Sequence, residues 1–596
     1  MTHLIKLYNP KNELLGTFMA LDGSNLYKLL VKEGYKIQSP CGGNGTCGKC
    51  KVKVDGKHVL SCQFTIIKDI NVQINNKLAK EVVLTDGIAL SHSLKISSGV
   101  DKIFLNLSKP NLADQRADCT RIMQELAPYG VRDVLNNAEF FNMISQVIDK
   151  GNYAATFVCI DNMLCGIESG DTSQSNFGVA IDIGTTTIAA YLFNLIDGTR
   201  IGVASSLNLQ SKYGADVITR IGFTLTEPDG MGKMQLEIIQ CLNSLLDSLV
   251  SSEGISAKNI YKITIAANTT MLHFLLGVAC GRIARTPFIA NFTQTVKLSA
   301  LQLGLNISDF GKVHLMPSVS AYIGADIVAG VLACGIQKRN TPALLIDMGT
   351  NGEMVLGSKS EIFAASVACG PAFEGACISC GVGGVVGAIS KVQFEPEYKF
   401  STIGEGSPIG ICGSGLVDLI AGLLMKGIID DTGRLLPLDE IDAVLEPELA
   451  NRIIESEKGV GFIFATKAEG AVDDLILTSR DVREVQNAKA AIEAGIRVMV
   501  LKAGIDICDI AQVFLAGGFG SYIDVNNACK IGLIPAELDK KCLAVGNSAG
   551  AGACSVLLSA GTLRQAGNIQ KQVKYIELSG CKEFNDFYID AMMFPV

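Results

Sequence analysis

A nine-residue pattern occurs twice in this chain, and the repetition constrains the fold more than any other feature. Val179-Ala180-Ile181-Asp182-Ile183-Gly184-Thr185-Thr186-Thr187 returns 165 residues later as Leu344-Leu345-Ile346-Asp347-Met348-Gly349-Thr350-Asn351-Gly352. In each copy an apolar run ends in Asp, passes a Gly-Thr-(Thr/Asn) turn and enters a second apolar run, at 188–193 and 353–356. The pattern predicts a repeated β-hairpin whose two turns face a common cleft. Chemically each turn is a phosphate cradle: glycine lets backbone N–H groups approach an oxygen, and Thr or Asn adds a side-chain donor. Gly184, Thr185, Thr186 and Thr187 form one cradle and Gly349, Thr350, Asn351 and Gly352 the other. A carboxylate does not bind phosphate directly. Asp182 and Asp347 are therefore expected to act catalytically, by holding Mg2+ through water or by orienting an attacking water.

Further along, Val513-Phe514-Leu515-Ala516-Gly517-Gly518-Phe519 reads as a strand entering a Gly-rich turn against which adenine and ribose can lie. Residues 546–553 read equally as a second close approach or as tight helix packing. The apolar stretch 543–563 contains Asn547, Ser548 and several glycines, so it is read as buried backbone and not as a membrane span.

The N-terminal part has a different chemistry. Strands are predicted at 4–7, 16–20, 51–54 and 70–74, with a helix at 25–33 capped by Ser24 and closed by Gly34. Between helix and strand lie Cys41, Cys47 and Cys50, spaced C-x5-C-x2-C in a loop with four glycines, and Cys62 follows with eleven residues between it and Cys50. Glycines allow the backbone to fold over an inorganic cluster and to aim N–H groups at its sulfurs. A [2Fe-2S] cluster is the favoured occupant; a tetrahedral zinc site and unligated thiols are the alternatives. The spacing resembles the plant-type [2Fe-2S] ferredoxins, with a first gap one residue longer and a fourth cysteine that comes early. The order of elements resembles their β-grasp.

Taken together, the paired turns and the Ala-Gly-Gly turn resemble the ASKHA superfamily, in which two ribonuclease-H-like lobes clamp ATP. A plant-type iron–sulfur head on such a body resembles the reductive activators of corrinoid proteins. Further stretches carry the same resemblance: Tyr213-Gly214-Ala215-Asp216-Val217-Ile218-Thr219-Arg220-Ile221, Asn268-Thr269-Thr270-Met271-Leu272-His273, Cys369-Gly370-Pro371-Ala372-Phe373-Glu374-Gly375, and the run from Asp481 to Ala490. Gly413 and Ser414 join Gly517, Gly518 and Phe519 as nucleotide-binding residues on that likeness.

The resemblance implies a multidomain α+β and α/β architecture. A β-grasp ferredoxin head spans 1–90, a linker 91–112, a small α/β docking or dimerisation domain 113–175, and a two-lobed ASKHA ATPase 176–596 whose second lobe starts near 340. It implies a [2Fe-2S] cluster, ATP and Mg2+ as cofactors. The implied activity is ATP-dependent passage of one electron from a low-potential ferredoxin or flavodoxin to a cobalt(II) corrinoid protein, giving cobalt(I) for methyl transfer. Competing readings are an activator of a dehydratase-type enzyme, a small-molecule kinase with a redox head, and a nucleotide-gated binder without turnover.

Composition narrows the classes. With 48% hydrophobic and 18% charged residues the chain is not a disordered one. A net charge of −8 argues against nucleic acid. Residues 1–90 hold twelve Lys against seven acids, so a basic head of +5 sits on a body of −13. Nineteen scattered cysteines suit reduced thiols in a cytoplasmic protein, and no secretory or membrane segment is expected. The remaining cysteines, Cys159, Cys165, Cys377 and Cys380 among them, read as small packing residues, and His273 as a core histidine. Arg483 and Lys489 read as a solvated or inter-lobe face, with nucleotide contact as the alternative. A homodimer is compatible with all of this.

Overall fold

The computed structural model describes residues 2–9, 12–33, 35, 37, 43, 45, 50–74, 95–349, 351–370, 372–441, 445–457 and 459–595. The repeat seen in the sequence organises the body into two six-stranded sheets. In the first, Phe177–Ile183 pairs antiparallel with Thr187–Asn194, which pairs antiparallel with Arg200–Leu207; on its other side Phe177–Ile183 runs parallel to Ile260–Ala267, itself parallel to Lys312–Leu315. The second repeats this order: Ala343–Met348 pairs antiparallel with Gly352–Gly357, which pairs antiparallel with Ile362–Val367; on its other side Ala343–Met348 runs parallel to Gln512–Ala516, itself parallel to Cys542–Gly546. The hairpins expected at both copies are present. The sixth strands differ: Val296–Ser299 lies beside Lys312–Leu315, whereas Val573–Tyr575 lies beside Ile362–Val367. The central strands are buried along nearly their whole length, as expected of strands covered on both faces.

The helix that follows the last parallel strand of each repeat forms the seam between lobes. Ala325–Cys334 and Ser548–Leu558 pack along one another, and the second also lies on the Phe177–Ile183 and Ile260–Ala267 strands of the first lobe. Contact is close enough that a Cβ on Gly552 would stand 2.2 Å from the Ala329 carbonyl oxygen. The 546–553 segment is thus helix packing at its glycines. Among the described residues no helix is long and apolar enough to cross a membrane.

The middle region forms a four-stranded sheet in the order Val100–Asn106, Ala154–Ile160, Met163–Ser169, Asp133–Val134, covered by Asp118–Leu126 and Ala138–Lys150. This corrects the linker expected at 91–112. Val100–Asn106 pairs along its length with Ala154–Ile160, and the residues before it are already held: Ser97 N–H donates to Leu558 O at 2.8 Å and Ser97 O accepts from Ala560 N–H at 2.8 Å. The strand carries Val100 and Ile103 inward, but its apolar residues do not alternate and polar residues flank it, which hid it. A buried polar network joins this sheet to the first lobe. Lys102 Nζ donates to Tyr261 Oη at 2.7 Å and meets Glu168 Oε2 at 2.8 Å, while Tyr261 Oη donates to Glu168 Oε1 at 2.6 Å.

In the head, Thr2–Tyr8 and Ile70–Gln73 run parallel at the centre of a sheet ordered Leu14–Leu21, Thr2–Tyr8, Ile70–Gln73, Lys51–Val54, Lys57–Leu60. Leu26 and Leu30 of the helix Leu26–Lys32 enter its core, giving the β-grasp arrangement. Asn25 caps this helix in place of Ser24: its Oδ1 accepts from Lys28 N–H at 3.1 Å, and both residues lie in a short ladder with Thr65 and Ile66. Gly34 lies outside the described residues.

Candidate functional site: an acid-lined cleft between repeated turns

The two turns close in related ways. Gly184 N–H donates to Thr187 O at 2.9 Å, and Gly349 N–H to Asn351 O at 3.0 Å. A Cβ on Gly184 would stand 2.7 Å from that same Thr187 oxygen, so the turn requires glycine. Asn208 braces the first turn, donating from Nδ2 to Gly184 O at 2.9 Å and from its backbone N–H to Thr186 O at 2.9 Å. Asn268 Nδ2 donates to Thr185 Oγ1 at 3.1 Å while its Oδ1 caps the helix Thr269–Leu276. Thr350 lies outside the described residues. Gly352 is buried beneath Val367 and Ile492, where its lack of a side chain serves sheet-to-helix packing.

Asp182 and Asp347 end equivalent strands, and the structure adds two acids that the sequence reading missed. Glu353 is the cross-strand partner of Asp347, at the position where the first repeat has Ala189 opposite Asp182. Asp326 lies in the first turn of Ala325–Cys334, its Oδ1 accepting from Ile327 N–H at 2.8 Å. Burial pushes the Asp182 carboxyl up to about 7, with the Asp347 charge adding to it and the hydrogen bond from Asn547 Nδ2 at 2.9 Å opposing. Asp326 rises to about 7 through burial and then through the charges of Asp347 and Asp182. Burial lifts Asp347 to about 6, and Glu353 stands well above the usual carboxylate range through burial and the charges of Asp326 and Asp347. Four buried oxygen-donor groups, three of them raised further by a neighbouring carboxylate charge, fit a hard divalent cation such as Mg2+.

That arrangement has a measurable sign. Each of these carboxyls holds its proton more tightly folded than unfolded, so the stabilisation is complete below the unfolded value near pH 4 and is lost as pH rises through about 6 to 7. Without divalent cation, the melting temperature of the body is expected to fall between pH 5 and pH 7.5. Mg2+ with nucleotide should restore it at pH 7.5 and do little at pH 5. A melting temperature flat with pH and indifferent to Mg2+ would exclude the cation site.

Gly517 has φ +85°, and a Cβ there would lie 2.7 Å from Asp347 Oδ1, so the Gly-rich turn is drawn directly against the second aspartate. At Gly518 a Cβ would meet no heavy atom within 4 Å among the described residues, which leaves its backbone open to a ligand. Phe519 stacks on Phe373 with ring centroids 4.5 Å apart and planes at 6°. Gly413 and Ser414 depart from the expected nucleotide role. The space beside Gly413 is filled by Phe373 O and the Phe519 ring, and the buried Ser414 hydroxyl donates to Ser390 O at 2.9 Å. Gly413 thus lies against Phe373 and Phe519, while Ser414 is turned toward Ser390.

Comparison with known proteins places these features. Family models match residues 89–174 (RACo linker region), 177–339 (RACo middle region) and 341–596 (the C-terminal domain of RACo, the ASKHA domain). Corrinoid activation enzyme RamQ of Eubacterium limosum is 32% identical over 585 residues, covering 94% of each chain. The chain belongs to the RACo family. A solved RACo-type structure, described as a reductive activator for a corrinoid, iron–sulfur protein, superposes with a TM-score of 0.76 at 31% identity over 100% of this chain and 98% of that one. A [Co(II) methylated amine-specific corrinoid protein] reductase of Methanosarcina barkeri is 27% identical over 303 residues, 47% of this chain and 51% of that protein.

In this RACo-family chain the head brings together two of the four expected cluster cysteines. Cys50 Sγ lies 3.1 Å from Cys62 Sγ, and Ser61 N–H donates to Cys50 O at 2.9 Å. Asn25, the helix cap, also holds Cys62 O at 2.8 Å through Nδ2. Gly43 and Gly45 adopt φ of +88° and +80°. Cys41 and Cys47 lie outside the described residues. The paired sulfurs fit thiolate ligands of one metal ion.

Other expectations divide. His273 is a core histidine: buried, stacked on Phe292, with Nδ1 2.7 Å from Thr269 O and Nε2 accepting from Asn291 N–H at 3.1 Å. Cys159 and Cys165 are buried, whereas Cys377 is exposed and so departs from the packing role. Arg483 is exposed, but Lys489 is fully buried and not on a solvated face. Its Nζ donates to Met593 O and lies over the Phe594 ring, tying the C-terminal tail to the long helix Ser479–Ala503.

Proposed function

We propose that the chain performs ATP-dependent reductive activation of a corrinoid protein, passing one electron from a low-potential donor to inactive cobalt(II) and giving cobalt(I). The observation that carries the reading is a thiol-bearing β-grasp head on the same chain as an acid-lined, two-lobed cleft, in a family whose relatives are named for corrinoid activation. Cys50 and Cys62, with Cys41 and Cys47, would hold a [2Fe-2S] cluster, which supplies one-electron transfer. Asp182, Asp347, Asp326 and Glu353 would hold Mg2+, which neutralises phosphate charge. The turn backbones at Gly184 and Gly349 receive the phosphates and the open Gly517-Gly518 backbone receives the adenosine.

The energetics are within reach of nucleotide binding. Plant-type clusters lie near about −400 mV, and ~59 mV for one electron corresponds to ~1.4 kcal/mol. A shortfall of roughly 100–200 mV toward cobalt(II) therefore needs only about 2–5 kcal/mol of state-dependent binding. Closure of the lobes around ATP supplies it by changing affinity for the cobalt(II) partner. A basic head docks an acidic ferredoxin or flavodoxin in a cytoplasmic protein. The head reaches to about residue 90, and the middle sheet, fixed to the first lobe, offers a docking or homodimer surface.

Anaerobic mixing of reduced protein with a cobalt(II) corrinoid protein, with and without Mg-ATP, tests this through the cobalt(I) absorbance band. Cobalt(I) that forms only with Mg-ATP is the expected result. A reduced cluster that yields no cobalt(I) under either condition would overturn the assignment.

A further inference from the structure

One buried cation beside the first phosphate turn is not used by anything above. Arg220 is fully buried, yet its guanidinium is only partly engaged. Nε donates to Gly214 O at 2.8 Å and Nη1 approaches Met271 Sδ at 3.9 Å, a weak acceptor. Nη2 is buried with no hydrogen-bond partner among the described residues. A buried charge left in this condition is costly, and such groups ordinarily carry a full set of partners. Burial lowers the Arg220 pKa, and the charge of Asp216, the nearest acid in sequence, opposes this, but Asp216 makes no hydrogen bond to the guanidinium: it spends Oδ1 on Thr219 N–H at 2.7 Å and Oδ2 on Thr219 Oγ1 at 2.8 Å, as the helix N-cap.

The position is built, and it leads to the phosphate cradle. Gly214 allows its loop to close on the helix Val217–Thr226, since a Cβ there would lie 2.7 Å from Thr219 Cγ2, and this puts Gly214 O on Arg220. Met271, on whose sulfur Nη1 rests, also receives Asn208 Nδ2 at 3.6 Å, and that same Asn208 amide holds Gly184 O. From the opposite lobe Arg220 feels the charge of Glu374, whose Oε1 lies 3.9 Å from the Cβ position of Gly349 in the second cradle. Arg220 thus belongs to the first lobe, whereas the adenosine wall of Gly517, Gly518 and Phe519 belongs to the second. A nucleotide with its adenosine on the second-lobe wall would extend its phosphates toward the first lobe, which carries Arg220. The four carboxylates can bind the last phosphate only through a cation, and the turns supply neutral donors, so a charged donor to it must come from elsewhere.

We propose that Arg220 binds the terminal phosphate of the nucleotide and lets the cleft distinguish ATP from ADP. This rests on the ATP-dependent reading above. Charge-assisted hydrogen bonds of this kind correspond to about 10- to 100-fold in affinity.

The test uses the full chain and calorimetric titration with Mg-ADP and with a non-hydrolysable Mg-ATP analogue. Arg220→Met is expected to weaken the analogue by about 10- to 100-fold and ADP by less than about twofold. Arg220→Lys, which keeps the charge but loses the planar fork, should fall between. Without nucleotide, Arg220→Met should melt close to wild type, because losing the hydrogen bond to Gly214 O is offset by removing an under-partnered buried charge. An arginine that merely supports the fold predicts the opposite: a lower melting temperature, with both nucleotides weakened equally or neither. Either of those results overturns the proposal. A wild-type protein that binds neither nucleotide overturns the ATP reading itself, and this proposal with it.

Discussion

Cys50→Ser is expected to reduce cobalt(I) formation to background while leaving ATP hydrolysis close to wild type. Cys50 is buried, 1% exposed, and its sulfur lies against that of Cys62, so one substitution removes half of the described thiol pair. A serine hydroxyl has nearly the same size but is a poor ligand for iron at neutral pH, whereas a thiolate is a soft, readily formed one. The loss should appear first as missing visible absorbance of the cluster, before any corrinoid protein is added. The acid-lined cleft belongs to separate sheets and should still turn over ATP. If the variant keeps both its cluster absorbance and its cobalt(I) yield, Cys50 is not a ligand.

Asp347→Asn should give the complementary loss. Asp347 touches more of the cleft than any other acid: it opposes Glu353 across the ladder, the Gly517 turn closes against it, and its charge raises Asp182, Asp326 and Glu353 alike. ATP hydrolysis is expected to fall by about 100- to 1000-fold, the range for removing a preorganised electrostatic contact. The cluster should remain intact and reducible. Because the substitution removes a like charge, the cation-free protein should melt higher than wild type at pH 7.5, and the stabilisation by Mg2+ should shrink. A variant with full phosphate release would remove Asp347 from the reaction. A variant that melts lower without cation would mean the carboxylate supports the fold and not a bound ion.

The two variants also separate the halves of the mechanism. One retains nucleotide chemistry without an electron path, and the other retains the electron path without nucleotide chemistry. If each alone lacks cobalt(I) formation, the coupling of the two halves is established by function.

Legibility of the site followed the range of the signal. Asp182 and Asp347 were visible because each sits in a short stretch whose neighbours all describe one hairpin, and because the stretch occurs twice. The cysteine spacing was visible for the same reason. Glu353 could have been found, since it directly follows Gly352 in the second copy, but the first copy has an apolar residue there. Asp326 gives no such sign: it lies 21 residues before Asp347 in a Gly-Ala-Asp stretch that reads as a helix start. Gly413 and Ser414 look like ligand-facing residues in one dimension, yet Gly413 lies against Phe373 and Phe519 and Ser414 is turned toward Ser390.

The sequence by itself determined the repeated hairpins, the turn chemistry and the character of the head, because strand alternation, glycine turns and cysteine spacing act within ten residues or so. Tertiary structure alone decided which groups share the cleft. Asn547 reaches Asp182 across 365 residues, and Arg220 comes to the first cradle through Met271. The same holds for Lys489, whose charge suggested solvent until the C-terminal tail covered it, and for Val100–Asn106, which lay in a stretch without clear periodicity until Ala154–Ile160 paired with it. Burial and charge coupling are properties of what folds together, and folding brings together residues that no local pattern connects.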